Sequence, residues 1–519
     1  MIVRNKNGCG PAPRNGTVIS TWLSALRRRG HRVVFAAFTC LACAPAAAAT
    51  FNVNSPADAH DASAGDGLCE TVAGTGNCTL RAALEEANEL AGAETINLQP
   101  NVTYTLTFTG ADAALDIADS VTINGSNNTI DAMGVGAGVV SVTRCIRNAA
   151  VSNVCTYGSP VATVSGVSFV HGKAASAGGG VQNYATLTLS HCAVSSNTAG
   201  GNADNFGIAG GIQNAGTMTL IDSVVAGNNA TGNTYGYGGG ISNGGTLAIT
   251  NSVVSNNSTN GPSTLGGGIY SIAGTLTIDG STIKDNRDNG TTGEGGGLVV
   301  NGGSATVRNS TVSGNRSYRG GGISAANLKL INSTVSGNSS FENGGGLYVR
   351  QSVYLYNATV TDNVANADDS GSALGGGIYV VSGNSLTLTN SIVQGNLRSN
   401  AVKPFPTLLS DECAGSLNSV GDNLLSVDVD TTHCTIAGSY GTGAANFGPL
   451  GDNGGATQTH ALLTGSAAID AGNIGGCTDE LGLVLKRDQR GVKRPYGPRC
   501  DLGAFEAAEI IFRDGFDGG

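Results

Sequence analysis

The chain has 519 residues, 81 of them glycine, 12% charged side chains and a net charge of −10. Glycine stands at about twice and charge at about half the usual share. There is no Gly-X-Y register, which excludes collagen, and Val, Ile and Leu recur in phase with the glycines, which excludes disorder. An acidic chain with no basic stripe and no interleaved aromatics excludes a nucleic-acid surface.

Arg27-Arg28-Arg29 and Arg32 precede an apolar run over 33–44 and then Ala46-Ala47-Ala48-Ala49. That order predicts a signal peptide over 1–49, with an apolar run too short to anchor in a bilayer. Neither Cys40 nor Cys43 follows the Leu-small-small triplet that a lipidation site needs. Of the 12 cysteines, Cys9, Cys40 and Cys43 leave with the leader. Close spacings pair Cys69 with Cys78, Cys145 with Cys155, Cys413 with Cys434 and Cys477 with Cys500, and leave Cys192 single. Spacing alone does not prove that connectivity.

Thr79 to Leu90 carries the one convincing helical pattern, with Leu80, Leu84, Ala87 and Leu90 on one face, Thr79 as N-cap and Gly92 as stop. Such a helix ahead of a repeat array is expected to cover the open edge of the first coil. Asp66-Gly67-Leu68-Cys69 followed by Cys78-Thr79-Leu80-Arg81-Ala82-Ala83 resembles the N-terminal CSLREA domain of bacterial surface and secreted proteins, with Thr79 in place of the usual serine. The resemblance implies export and a β-helix start, not a reaction. Short alternating strands then begin, Tyr104-Thr105-Leu106-Thr107-Phe108 and Val121-Thr122-Ile123 among them.

Over 178–396 a two-part phrase returns eight times. One part is a small-residue run closed by an aliphatic, as in Gly238-Gly239-Gly240-Ile241. The other is an aliphatic three residues before an asparagine, as in Val312-Ser313-Gly314-Asn315. The asparagines are 197, 228, 257, 286, 315, 338, 363 and 396, so the steps are 31, 29, 29, 29, 23, 25 and 33. Elastic spacing in this range predicts stacked repeats. Each repeat reads as three short β-branched strands, for example Gly268-Ile269-Tyr270-Ser271, Thr275-Leu276-Thr277-Ile278 and Ser281-Thr282-Ile283. Strands so short need parallel neighbours above and below. The predicted fold is therefore all-β, a right-handed parallel β-helix with a short N-terminal capping helix. The asparagines are expected to form ladders along the axis and to tolerate left-handed corners. Length varies between each Asn and the next glycine run, so those loops emerge on one side, where a binding surface would be built.

The pairing of glycine run and aliphatic-x-x-Asn resembles the repeats of chlamydial polymorphic outer-membrane proteins, with Val or Ile for their phenylalanine. Those relatives are adhesins with a C-terminal barrel, for which no stretch of barrel length is found here. Farther on, Asp452-Asn453-Gly454-Gly455, Gly465-Ser466-Ala467-Ala468-Ile469-Asp470-Ala471-Gly472, Asp488-Gln489-Arg490-Gly491 and Cys500-Asp501-Leu502-Gly503-Ala504-Phe505-Glu506 resemble the choice-of-anchor Q domain that ends many secreted bacterial β-helix proteins. Physically this stretch reads as a distal cap, with Arg81, Asp470, Asp488, Arg490 and Asp501 in cap-holding ion pairs. The domain reading is a signal peptide over 1–49, an N-terminal cap over 50–100 and a β-helix over 101–409. A C-terminal cap over 410–506 and a tail over 507–519 complete it.

β-Helices host pectate lyases and other polysaccharide-active enzymes, which raises an enzyme reading by analogy of fold alone. A glycosidase needs carboxylates converging within about 5–10 Å, and no two successive repeats place acids at one strand phase. Asp368-Asp369 is the best local acidic pair, in a variable loop where solvation accounts for it better than calcium. Arg287 and Arg316 follow the asparagines of neighbouring repeats and would grip an acidic glycan, although exposed corner charges suffice to explain them. His171, His191, His433 and His460 have no second ligand at metal spacing. The expectation is a monomeric extracellular or cell-surface protein that binds glycan through its loop face, with no catalytic residues, cofactor, metal or integral membrane segment. The rival readings are a polysaccharide lyase or hydrolase with a site assembled across coils, and a structural spacer.

Overall fold

The computed structural model describes residues 48–507 except 91, 135–137, 143–159, 202–204, 370, 401–406 and 427–432. The leader up to residue 47, the Cys145–Cys155 pair and the tail beyond 507 lie outside the described residues. Residues from 49 onward form one compact unit, an all-β parallel solenoid of about ten turns with almost no helix.

A representative turn follows Gly238-Gly239-Gly240 with four strands, Ile241–Asn243, Thr246–Thr250, Val253–Ser255 and Ser258–Asn260. None would be stable alone, and each pairs in parallel with its counterparts one turn away. The fourth strand corrects the expectation of three strands followed by a loop. It forms because each corner hands the chain on already bonded: Ser258 N donates to Asn228 O and Arg287 N to Asn257 O, both at 2.9 Å. Nine such fourth strands, with Leu408–Ser410 added antiparallel at one edge, build a separate 10-stranded sheet.

Inward residues stack residue on residue. Leu247, Leu276, Ala305, Leu328, Val353, Leu386 and Leu417 are consecutive register partners and are all buried in one continuous core. Complete burial of one such leucine stabilises by roughly 1.5–3 kcal/mol. Small residues govern the closest approach. Gly266 has φ +70°, and a Cβ on Gly267 would lie 2.5 Å from the Arg287 carbonyl carbon, so the glycine run permits two chain segments to touch.

The asparagines divide the two roles expected of them. Nδ2 of Asn197 donates to Oδ1 of Asn228, and the chain of amides continues through 257, 286, 315, 338, 363 and 396 to the Glu412 carboxylate, each bond 2.7–3.0 Å. All eight are buried. The left-handed backbone belongs instead to the row six residues earlier, from His191 through Asn251 and Asn309 to Asn390, with φ between 48° and 56°, and to the residue directly before each ladder asparagine, such as Asn256 at 54° and Asp285 at 56°.

At the N-terminal end the helix Leu80–Glu89 is capped by Thr79, whose Oγ1 accepts from Ala82 N at 3.1 Å. Its Leu80, Ala83, Leu84 and Ala87 join the solenoid core, and Arg81 pairs with Asp58 at 2.6 Å, both nearly inaccessible. Disulfides link Cys69 to Cys78, Cys413 to Cys434 and Cys477 to Cys500, and Cys192 is free and buried.

The C-terminal stretch differs from a cap laid over the last turn. The strand Cys413–Ser419 continues the solenoid, and residues from 457 onward then run back along the flank formed by the third strands. Gln489 Nε2 donates to Thr311 Oγ1 at 2.9 Å and Thr334 Oγ1 to Gln489 Oε1 at 2.7 Å. Farther along, Ala504 N donates to Thr359 Oγ1 at 3.0 Å and Arg499 pairs with Asp422 at 2.7 Å. Third-strand hydroxyls supply the outward bonding groups, which is why polar side chains rather than an apolar stripe seat this segment. Within it, Arg494–Glu506 at 2.8 Å and Arg490–Asp488 at 2.6 Å are buried ion pairs.

Candidate functional site

In a strand with period two the middle residue of each three-residue first strand faces outward while its neighbours enter the core. In register these outward residues run Ser242, Tyr270, Val299, Ser324, Tyr348 and Tyr379. The rings of Tyr348 and Tyr379 are parallel with centroids 5.4 Å apart. Tyr270 is buried and lies 5.2 Å from Tyr237. Tyr237 continues to Tyr235 at 5.8 Å and Tyr235 stacks on Phe206 at 5.0 Å. The last three residues come from the segments between asparagine and glycine run, where Phe206–Ile208, Tyr235–Tyr237 and Ser263–Leu265 form a small parallel sheet of their own.

Between the two aromatic groups lies a charged cluster assembled from several turns. Arg350 reaches back two turns: Nη1 donates to Asn301 Oδ1 at 2.8 Å and Nη2 to Val300 O at 3.0 Å. Its Nε lies 3.4 Å from Glu294 Oε2, a charge contact rather than a hydrogen bond. Glu294 also accepts from Ser324 Oγ at 2.8 Å and is the β-bridge partner of Arg319. Arg319 is held by Glu342 and lies 5.3 Å from the Tyr318 ring centroid. Burial works against the Arg319 cation, but the hydrogen bond and charge of Glu342 outweigh it and raise its pKa. Burial likewise raises the hydroxyl pKa values of Tyr237, Tyr270 and Tyr348, so all three remain protonated donors at neutral pH. Behind the surface, Asp288 is buried and accepts from Thr264 Oγ1 and Gly290 N; burial pushes it up to about 7. A group 2% exposed does not meet a ligand directly.

The residues singled out in the sequence lie elsewhere. Arg287 and Arg316 are register partners on the fourth-strand sheet. Arg287 is exposed, and Arg316 lies 4.2 Å above the Phe341 ring. Asp368 sits in a turn, and Asp369, at φ +56°, accepts from Ser399 Oγ. Ser399 belongs to Leu397–Ser399, three strands beyond the strand of Arg316 in that sheet, so the acids and the arginines form no single site. Among the described residues, no group of three or more His, Cys, Asp or Glu side chains has metal-holding geometry. His171 pairs with Asp131 at 3.0 Å. His460 is buried between Ser336 Oγ and Gly448 O, each at 2.8 Å.

Tyr270, Tyr348, Tyr379, Arg350, Arg319, Glu294 and Glu342 were not legible as a group. One signal was available: three times an aliphatic closing a glycine run is followed by tyrosine, in Ile269-Tyr270, Leu347-Tyr348 and Ile378-Tyr379. The acids do not repeat at one phase. Glu294 instead shares its phase with Arg319, an opposite-charge pairing that a search for paired acids passes over.

Among the described residues no helix is long and apolar enough to cross a membrane. No curated protein matches the chain. A solved structure described as a crystal structure of pectate lyase Pel9A overlays with 13% identity and TM-score 0.38, covering 88% of this chain and 96% of that one. A family model described as right handed beta helix region matches residues 263–403, the stretch that contains most of the charged cluster and both stacked tyrosines; the chain is thus an all-β, right-handed parallel β-solenoid.

Proposed function

We propose that this protein is exported and binds glycan chains, without cleaving them, across the face that carries Tyr348, Tyr379 and the Glu294–Arg350 and Arg319–Glu342 pairs. The observation that carries the reading is that aromatic rings and hydrogen-bonding side chains converge from successive turns on one outward face, which neither the core nor the asparagine ladder requires. Carbohydrates are recognised by that combination of flat apolar contact and fixed polar groups. In this reading the segments between asparagine and glycine run contribute Phe206, Tyr235, Tyr237, Arg319 and Glu342, and first-strand residues share the task. Three disulfides fit an oxidising compartment. In this reading residues 50–100 act as a CSLREA-like cap, and residues 410–506 as a choice-of-anchor Q-like element that braces the flank.

The test is a glycan array probed with the purified protein and with Tyr348→Ala. Saturable binding that the variant loses supports the reading, and absence of binding to any glycan rejects it. A polysaccharide-cleaving enzyme is the second reading, favoured by the two carboxylates and two arginines that meet in one cluster. Each of those carboxylates already has a cationic partner, which leaves neither free as a general base in this geometry. Incubation with neutral and uronic-acid polysaccharides decides: release of new chain ends rejects the binding-only reading.

A further inference from the structure

Resting on the glycan-binding reading, we infer that this face selects a neutral, extended polysaccharide aligned with the solenoid axis, rather than an acidic one. An arginine recognises a sugar carboxylate by presenting its planar fork of N–H donors. On this face the forks are occupied. Arg350 spends Nη1 on Asn301 and Nη2 on Val300 O and directs its remaining edge toward Glu294. Arg319 is held by Glu342. Each cation on the face has its carboxylate, so the local charge sums to zero. A polyuronate would have to break one of these pairs or place its carboxylates beside Glu294 and Glu342. The net charge of −10 over the chain adds a long-range repulsion of polyanions.

Once the charges are paired, the face offers rings and hydroxyls. Tyr348 and Tyr379 are half-buried, and among the described residues no hydrogen bond engages either hydroxyl. Tyr237 and Tyr235, tilted by 36° with centroids 5.8 Å apart, form a second half-buried aromatic group on the near side of the cluster. From the turn of Tyr237 to that of Tyr379 there are five strand steps, roughly 24 Å at about 4.8 Å each. A ligand that touches both aromatic groups must therefore be several sugars long and run along the axis. A disaccharide reaches only one.

The experiment is calorimetric titration of the purified protein with size-graded neutral β-1,4-linked gluco- and manno-oligosaccharides, dimer to octamer, and with oligogalacturonates of matched length. The expected result is binding of a neutral series, insensitive to added sodium chloride, with affinity rising about tenfold or more from dimer to hexamer and then levelling off. Tyr348→Ala should lower the hexamer affinity about tenfold; Tyr348→Phe, which keeps the ring and the fold, should lower it less. Tighter binding of oligogalacturonates, lost in Tyr348→Ala, overturns the inference and leaves the glycan-binding reading intact. Neutral binding without length dependence, or unchanged by either Tyr348 variant, also overturns it. If neither series binds and the glycan array is blank as well, both readings fall.

Discussion

Each turn of the solenoid has an inner corner and an outer face, and the two obey opposite rules. At the corner, Asn257, Asn286 and Asn315 are interchangeable: each is buried, accepts from the turn before and donates to the turn after. On the outer face, Tyr270, Val299, Ser324 and Tyr348 are register partners, yet the side chain changes at each step from one turn to the next. The corner must repeat because an amide buried next to a different group would leave a donor or acceptor unpaired, at about 1–3 kcal/mol each. The outer positions carry no such penalty and are free to differ. Recognition is therefore expected where the repeat is least faithful.

The sharpest way to break this division is Asn286→Ala. It strands the Asn257 N–H and side-chain N–H, both at 3.0 Å from Asn286 Oδ1, and removes the bonds that Asn286 Nδ2 donates to Asn315 Oδ1 and Val254 O. The expected cost is about 3–5 kcal/mol, read as a lower denaturant midpoint. A cost as small as that of an outer-face substitution would show that the ladder is not what holds the turns together.

The end of the ladder offers a titratable version of the same test. Glu412 accepts the last amide at 2.7 Å, and burial pushes its carboxyl from 4.5 up to about 7. The folded state thus holds a proton that the unfolded state has released between those values. Its contribution is fully present below about 4.5 and is lost as pH rises through about 7. Asp411, pushed up to about 6 by burial, acts with the same sign. Asp288, pushed up to about 7, adds to the same decline, so Glu412→Gln should remove its own share of it, roughly 1–3 kcal/mol between acid and mildly alkaline pH, and should be more stable than the parent above neutrality. Thermal midpoints across that range check it; an unchanged slope would show that Glu412 does not titrate with folding.

Outer-face changes should separate binding from folding. Tyr379→Ala is expected to reduce oligosaccharide affinity about tenfold while lowering stability by no more than about 1 kcal/mol. The smallest effect is expected for Arg287→Ser. This exposed residue should shift stability by less than about 0.5 kcal/mol and leave glycan binding unchanged, because its strand lies outside the face that holds the tyrosines. A large loss of binding in that variant would return the site to the fourth-strand sheet.

Much of the stack was legible because it repeats. Eight asparagines at one phase, with inward aliphatics in step, specify a ladder and a core without knowledge of the turn lengths. The fourth strand was not legible, since segments such as Ser258-Thr259-Asn260 and Arg287-Asp288 have no shared apolar pattern and are ordered by backbone bonds from the adjacent corner. The flank segment reads as a cap because its glycines and polar residues break the repeat. Its bonds to Thr311, Thr334 and Thr359 join residues 145 to 178 positions apart, and nothing local announces them.

The sequence alone determined the parallel solenoid, its phase and its amide ladder, because those follow from interactions between a residue and its own equivalent one turn away. Only the tertiary structure decided which outward residues meet. Arg350 touches Asn301, 49 residues earlier, because the one turn between them stacks in register on both, and Glu294 faces Arg319 because their turns stack directly. Coil stacking turns distance along the chain into proximity across the face, and the outer positions that gain from it are those the repeat leaves unconstrained.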